Sequence, residues 1–366
     1  MFINFFIITK LIHYINLIKI IFNNIMDYKL QKYLDKINQD PKSIYLRKIS
    51  YYLNNVNNFN GLQVGGLKLH DFNSLIEYLQ QSYNKATSQT DKKYLVILYG
   101  PPASGKSISR YIACHWIKTL FRESSNIENI YKSFIDTGID DITYETESET
   151  GKRVIELLKE NLNDKLGNDR TIENAKSNIA DLASSSWNIY KNYRPDYVSE
   201  LLYYFSIFLN KNIFIETTGS GTEYLNRVID MLSYYGYIPV LIYPFINDVK
   251  IIYDRSIQRG LVEGRFLRCD TPFGLASQMR TSLSNYPKMR DILDKYNNYV
   301  VYQYDSNFPS NIAGQIKNFD FSNLNNYSMQ LKYRIQDNSN DNIVTNTIDT
   351  ISRDYDKLTT LFLECN

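Results

Sequence analysis

The chain has 366 residues, a formal net charge of +2, 43% hydrophobic residues and 22% charged ones. That length can bury one large core or two modest ones, and so neutral a balance lacks the basic excess of a dedicated nucleic-acid binder. The cysteines Cys114, Cys269 and Cys365 include no C-x-x-C pair and the histidines are dispersed, a usage that suits a reducing compartment and no structural zinc.

The opening stretch, MFINFFIITKLIHYINLIKIIFNNIM, is apolar but interrupted by Lys10, His13 and Lys19. A lysine near mid-bilayer costs about 2.5–3.5 kcal/mol on insertion scales. Without a basic leader or a small-residue cleavage site, no secretory signal is expected there. Residues 1–25 therefore read as an amphipathic helix, as a membrane anchor, or as sequence ahead of a start at Met26. The last is favoured because MDYKLQKYLDKI opens an ordinary charged helix. A cytoplasmic protein is expected, with membrane anchoring as the alternative. Residues 26–93 form a helical lead-in, in which Phe72, Leu75, Ile76 and Leu79 fall at helical spacing.

From Tyr94 the pattern changes. Strands are predicted over 94–99, 131–136, 212–217, 238–243 and 299–304, separated by helical stretches such as 222–235 and 248–258. Such alternation predicts an α/β fold with a parallel sheet and helices on both faces. Ligands bind these sheets outside the carboxyl ends of the strands. Between the second and third strands, residues 145–210 form an insertion rich in helix formers that carries Trp187, Tyr190 and Tyr193. It reads as a substrate-covering lobe or as peripheral helices. Residues 307–366 form a polar linker and then a C-terminal helix, marked by Val344, Ile348, Ile351, Tyr355, Leu358 and Leu361 on one face.

The first of these strands runs into Gly100-Pro101-Pro102-Ala103-Ser104-Gly105-Lys106-Ser107-Ile108, which has the spacing G-x-x-x-x-G-K-[ST]. Small residues there let successive backbone N–H groups turn inward around a phosphate chain. Lys106 is placed to reach the β and γ phosphates, Ser107 to offer its hydroxyl to Mg²⁺, and the following helix to point its positive end at the same anion. A nucleoside triphosphate site follows. Asn210-Lys211-Asn212-Ile213 fails the guanine-reading pattern at its last position, so ATP is expected rather than GTP.

Phosphoryl transfer also needs a proton acceptor and neutralising charge. FIDTGIDDITYE places Asp136, Asp140 and Asp141 just past a strand end, where an aspartate can take a proton from an acceptor hydroxyl. NIFIETTGSG ends its strand in Glu216, Thr217 and Thr218, candidates for the Mg²⁺ shell and for substrate contact. Arg255 and Arg259 lie four apart on a helix, followed by Arg265 and Arg268 beyond Gly260 and Gly264. That pattern fits an arginine lid hinged at the glycines.

In this order the motifs resemble the zeta-toxin-like P-loop kinases, relatives of chloramphenicol phosphotransferase, over residues 94–306. The resemblance implies that Asp140 is the catalytic base with Asp141 close behind, that Glu216-Thr217-Thr218 matches the family's Glu-x-Thr strand end, and that Arg255, Arg259, Gly264 and Arg265 match its lid. It also implies ATP and Mg²⁺ as cofactors and a small-molecule hydroxyl, such as that of UDP-N-acetylglucosamine, as acceptor. An inhibitory protein partner is implied by the family alone. Where toxin members carry an arginine for the sugar nucleotide, this chain reads Gly219-Ser220-Gly221, so the acceptor does not carry over with the chemistry. A nucleoside or nucleic-acid-end kinase and a nucleotide-binding switch that transfers nothing are the competing readings.

Overall fold

Strand β1 (Lys93–Tyr99) is apolar beyond its first residue, and Leu95 to Tyr99 are without solvent exposure. A strand buried on both faces must satisfy its backbone through neighbours on either side. Here those neighbours are β3 (Asn212–Thr217) and β4 (Tyr237–Phe245), both parallel to it. In this computed structural model β2 (Phe134–Asp136) pairs beyond β3, and β5 (Tyr299–Asp305) beyond β4. Two antiparallel strands, β6 (Ser328–Gln336) and β7 (Ile343–Ile348), complete the order β2-β3-β1-β4-β5-β6-β7. The structure describes residues 85–138, 140, 143, 149–193, 202, 203, 206, 207, 210–307, 321, 324–336, 343–348 and 363–365. The expected apolar segment, nearly all of the helical lead-in, and Asp141 lie outside these. Among the described residues no helix is long and apolar enough to cross a membrane.

Helix α1 (Lys106–Phe121) follows the glycine loop and covers one face of the sheet. Ile108, Ile112, Ile117 and Phe121 recur at helical spacing and pack with Tyr94, Val96 and Leu98 of β1, Val240 and Ile242 of β4, and Val300, Tyr302 and Tyr304 of β5. The short helix α2 (Ile127–Tyr131) leads into β2. The alternate β1 residues face the other way, toward α6 (Thr222–Tyr234) and α8 (Leu275–Leu293); the Tyr99 hydroxyl donates to the Ser282 carbonyl of α8 at 2.7 Å. Each fully buried aliphatic side chain in these layers stabilises the fold by roughly 1.5–3 kcal/mol. The chain is thus an α/β protein of the P-loop NTPase type, with β1 at the point where the strand order reverses.

The insertion contains helices α3 (Glu149–Leu166), α4 (Ile172–Ser177) and α5 (Ile179–Tyr193). It shares a second core with α7 (Val249–Glu263): Leu162, Leu166, Ala175 and Leu182 pack among Val249, Ile252, Tyr253, Ile257 and Phe266. These helices are therefore the bed on which the arginine-bearing helix lies. Neither glycine of the expected hinge sits in open chain. Gly260 is inside α7, where a Cβ would come within 2.6 Å of the Phe266 ring. Gly264 caps the helix at φ +79°, and a Cβ there would meet the Leu158 carbonyl oxygen of α3 at 2.6 Å.

Two expectations are corrected at the C-terminal end. Residues 328–336, assigned to a polar linker, form β6, and Val344 and Ile348, assigned to a helix, lie in β7 opposite Ile335 and Leu331. Met329, Leu331, Tyr333 and Ile335 alternate with polar residues in the period of a half-buried strand, a pattern obscured by its Asn-rich flanks. The rest of the expected helix, Ile351 to Leu361, lies outside the described residues, and the only helix described after β5 is α9 (Leu324–Tyr327). The second correction concerns the cysteines. Cys269 is disulfide-bonded to Cys365 across 96 residues, with Cα atoms 5.8 Å apart, while Cys114 is buried and unpaired. No local spacing announces a pair so distant in sequence.

Gly264→Ala should cost about 1–3 kcal/mol, because the left-handed backbone and the Leu158 contact both resist a side chain; urea unfolding reads the loss. Cys365→Ser should cost about 2–5 kcal/mol, as expected for opening a loop of this length, and the wild-type protein in a dithiol reductant should match it.

Candidate functional site

The loop between β1 and α1 is built as an anion cradle. Gly100, Ala103 and Gly105 have positive φ values of 136°, 59° and 97°, which turn successive N–H groups to one side. Gly105 caps α1 without a side-chain hydrogen bond, and the first turn of α1 holds no acidic residue. Its N–H groups and the positive end of the helix dipole are thus left for an external anion. Ser104 is fully buried and its Oγ has no hydrogen-bond partner. Lys106 folds back over the loop, donating from Nζ to the carbonyls of Gly100 at 3.0 Å and Pro101 at 2.9 Å. The Gly100 N–H donates to the Thr217 carbonyl, and the Ser306 hydroxyl to the Ser104 carbonyl. Strand ends on both sides of β1 therefore fix the loop. Pro101, Pro102 and Ile108 shape it: Pro101 and Ile108 are buried, and Pro102 is partly exposed. These features fit a phosphate chain.

Arg110, one turn beyond Lys106, stands between two strand-end carboxylates. Its Nη2 lies 2.8 Å from Glu216 Oε1 and its Nε 3.1 Å from Asp136 Oδ1, with the guanidinium over the Phe214 ring. Burial raises the Asp136 pKa above the ordinary carboxylate value and the Glu216 charge adds to the rise, while Arg110 opposes it. Glu216, a candidate metal ligand, thus shares its carboxylate with an arginine. Among the described residues no group of three or more His, Cys, Asp or Glu is arranged to hold a metal. Mg²⁺ at nucleotide sites is held mainly by phosphate oxygens and water with one or two protein oxygens, and exposed Ser107 with Glu216 fits that sparse set.

Asp140 follows β2, whose end is held by Thr137: its N–H and hydroxyl both donate to the Phe214 carbonyl of β3. The Asp140 carboxylate accepts from two distant parts of the chain, Arg265 Nη1 at Oδ2 (2.7 Å) and the Tyr190 hydroxyl at Oδ1 (2.5 Å). Burial alone would raise its pKa, but Arg265, the Tyr190 hydrogen bond and Arg259 together outweigh it and hold the carboxyl below its ordinary range. Lys106 is pulled down from the ordinary ammonium value by burial, against the charges of Glu216 and Asp140 and with those of Arg259 and Arg110. Lys106, Glu216, Asp140 and Arg259 therefore act on one another electrostatically at one end of the sheet. Arg259 is half-exposed and pairs with Glu263 at 2.7 Å. Arg255 is directed elsewhere, donating to the Ser306 carbonyl at 3.3 Å.

The turn after β3 is clamped from α8. Ser282 donates to the Thr218 carbonyl at 2.5 Å and Asn285 to the Gly219 carbonyl at 2.8 Å. Thr217 Oγ1 accepts from the Gly219 N–H, and Thr218 Oγ1 is bonded to Ser220 Oγ. Both threonine hydroxyls, expected at the substrate, thus have local partners. Sequence reasoning missed Arg110, Ser282, Asn285 and Ser306, and placed Tyr190 only within the insertion. Arg110 alone carried a local signal, its position four residues after the loop lysine on the same helix.

Arg110→Met should be less stable than wild type near neutral pH. An acid whose folded pKa lies above its unfolded value destabilises the fold above that folded pKa and has no effect below the unfolded one, about 3.9 for Asp. Removing the arginine raises the folded value of Asp136 further. The deficit in urea unfolding should therefore be full at pH 8 and shrink on approaching about pH 4.

No protein-family model matches the chain. A solved structure of the PezAT chromosomal toxin–antitoxin system of Streptococcus pneumoniae aligns over 71% of this chain and 90% of that one, at 13% identity and a TM-score of 0.39. An uncharacterized protein of Acanthamoeba polyphaga mimivirus, L872, is 62% identical over 341 residues, which is 93% of this chain and 99% of that protein. The chain belongs to the family of mimivirus protein L872.

Proposed function

We propose that the protein is an ATP- and Mg²⁺-dependent kinase that phosphorylates a hydroxyl of a small molecule. The observation that carries this reading is the convergence of a carboxylate, Asp140, with Lys106, Arg259 of α7 and Arg265 just beyond it beside one phosphate cradle. A nucleotide switch needs the cradle, the lysine and a carboxylate for its metal, but it does not need an aspartate whose loss stops phosphoryl transfer while nucleotide binding persists.

When bound, Mg-ATP supplies the phosphoryl group and much of the charge that neutralises it. The chain's own residues do the rest. The loop N–H groups and Lys106 would hold the phosphates, Ser107 and Glu216 would contribute oxygens to the metal, and Arg259 would offset charge on the moving oxygens. Asp140 takes the acceptor's proton as the new O–P bond forms and the bond to the ADP oxygen breaks. Its depressed pKa keeps it ionised, and able to accept a proton, throughout the neutral range. Sugar nucleotides are the first acceptor class to test, since the motif order resembles kinases that act on them. The Gly219-Ser220-Gly221 turn makes other hydroxyl metabolites the second.

With γ-labelled ATP and a metabolite pool, the wild-type protein should label a small molecule. Lys106→Ala should weaken ATP binding and abolish transfer with the fold intact. Asp140→Asn should keep ATP binding and lower kcat by about 10²-fold or more. Loss of ATP binding in Lys106→Ala without any transfer by wild type would support the switch instead.

A further inference from the structure

Tyr190 is 2% exposed, yet its hydroxyl reaches an acidic side chain that is 41% exposed at the end of the sheet. A buried tyrosine needs an acceptor for its O–H, and the one it has is the carboxylate assigned above as the proton acceptor. The same ring lies under Arg265, with the guanidinium carbon 4.3 Å from its centroid. Tyr190 thus touches both halves of the Asp140–Arg265 ion pair.

Its position does not depend on that pair. One turn earlier on α5, Ser186 is fully buried and its Oγ accepts from the Phe266 N–H at 3.3 Å. Leu182, one turn further back, is fixed in the core shared with α7. The helix therefore arrives with its register set, and Gly264 seated on Leu158 of α3 places the Arg265 segment against the same insertion. Two donors on different carboxylate oxygens fix the plane of the group. Each oxygen so engaged keeps a further lone pair able to accept a proton.

From this geometry we infer that Tyr190 is a positioning residue of the kinase, contributed by the helical insertion, which orients the Asp140 carboxylate and keeps it ionised. The inference rests on the kinase reading. It gives the insertion a definite task at the reacting end of the sheet. The charged and titratable groups facing Asp140 are Tyr190 from α5, Arg265, Arg259 from α7 and Lys106 from α1. Asp136 at the same end of the sheet, its pKa raised by burial, also changes charge on acidification, so an acid limb is assigned to Asp140 only where it moves together with the Asp140 NMR titration.

Tyr190→Phe removes the hydroxyl and retains the ring beneath Arg265. The test compares this variant with wild type in three measurements: the carboxyl-carbon NMR titration of Asp140, identified by its loss in Asp140→Asn; the pH profile of kcat/KM; and the KM for ATP. Loss of a hydrogen bond to the charged form should move the Asp140 titration and the acid limb together to higher pH. The kcat should fall at least about tenfold with the KM for ATP unchanged. An Asp140 titration that stays in place, or an unchanged kcat, overturns the inference. Should Tyr190→Phe unfold, site-specific 3-fluorotyrosine at position 190 replaces it. Its more acidic phenol is a stronger donor, so the limb should move down, and a limb that does not move overturns the inference equally. The two readings fail separately. A wild type without phosphotransfer but with a shifted Asp140 in Tyr190→Phe sinks the kinase and leaves the contact; an active kinase with an unshifted Asp140 sinks the positioning role and leaves the kinase.

Discussion

A buried strand has only its neighbours to hydrogen-bond with, and that requirement on β1 organises the rest of the molecule. Because β3 and β4 both run parallel to it, their carboxyl ends emerge on either side of the loop that β1 feeds. The loop is then pinned through Gly100 to Thr217 on one side and, through Ser104, to Ser306 on the other. Charged groups gather at that end because the flanking strands terminate there: Glu216 on β3, Asp136 on β2 and Asp305 on β5. Arg110, Lys106 and Arg255 answer them from the helices. Such a concentration of carboxylates in partly buried surroundings is tolerable only when cations are fixed among them.

The second organising relation is between the insertion and α7. A helix that carries arginines on a protein surface usually spends them on solvent and on weak local pairs, as Arg259 does with Glu263. Arg265 is different, being 18% exposed and locked between an aspartate and an aromatic ring. The difference arises from packing. Helix α3 presses close enough to the end of α7, through Leu158, that only glycine fits at position 264. The chain leaving that glycine delivers Arg265 inward.

Four of the five parallel strands and the glycine loop were legible because each is specified locally, by an apolar run such as YLVILY or NIFI bounded by turn residues. The strand expected over 131–136 is a strand only at Phe134–Asp136, with Tyr131 closing helix α2. The elements that escaped depend on partners elsewhere. Strand β6 shows a period-two pattern only between Met329 and Ile335, and its pairing with β5 spans a stretch of chain with no comparable signal. At the site, Lys106 and Ser107 announce themselves by spacing, and Asp140 and Glu216 by falling at strand ends. Tyr190 stands fifty positions beyond Asp140 on a helix, and nothing in its neighbours distinguishes it from Trp187 or Tyr193. The glycines at 260 and 264 were visible as glycines, but the choice between a hinge and a close approach belongs to the helix packed against them.

The disulfide between Cys269 and Cys365 closes a covalent ring that contains α8, β5, β6 and β7. This ring begins four residues after Arg265 and takes in one whole edge of the sheet. A single break of the backbone anywhere inside it does not divide the molecule, since the severed parts stay joined through sulfur. Only a second event, reduction, sets them free. A nick within the ring would therefore pass unseen on a non-reducing gel and appear as two fragments on a reducing one.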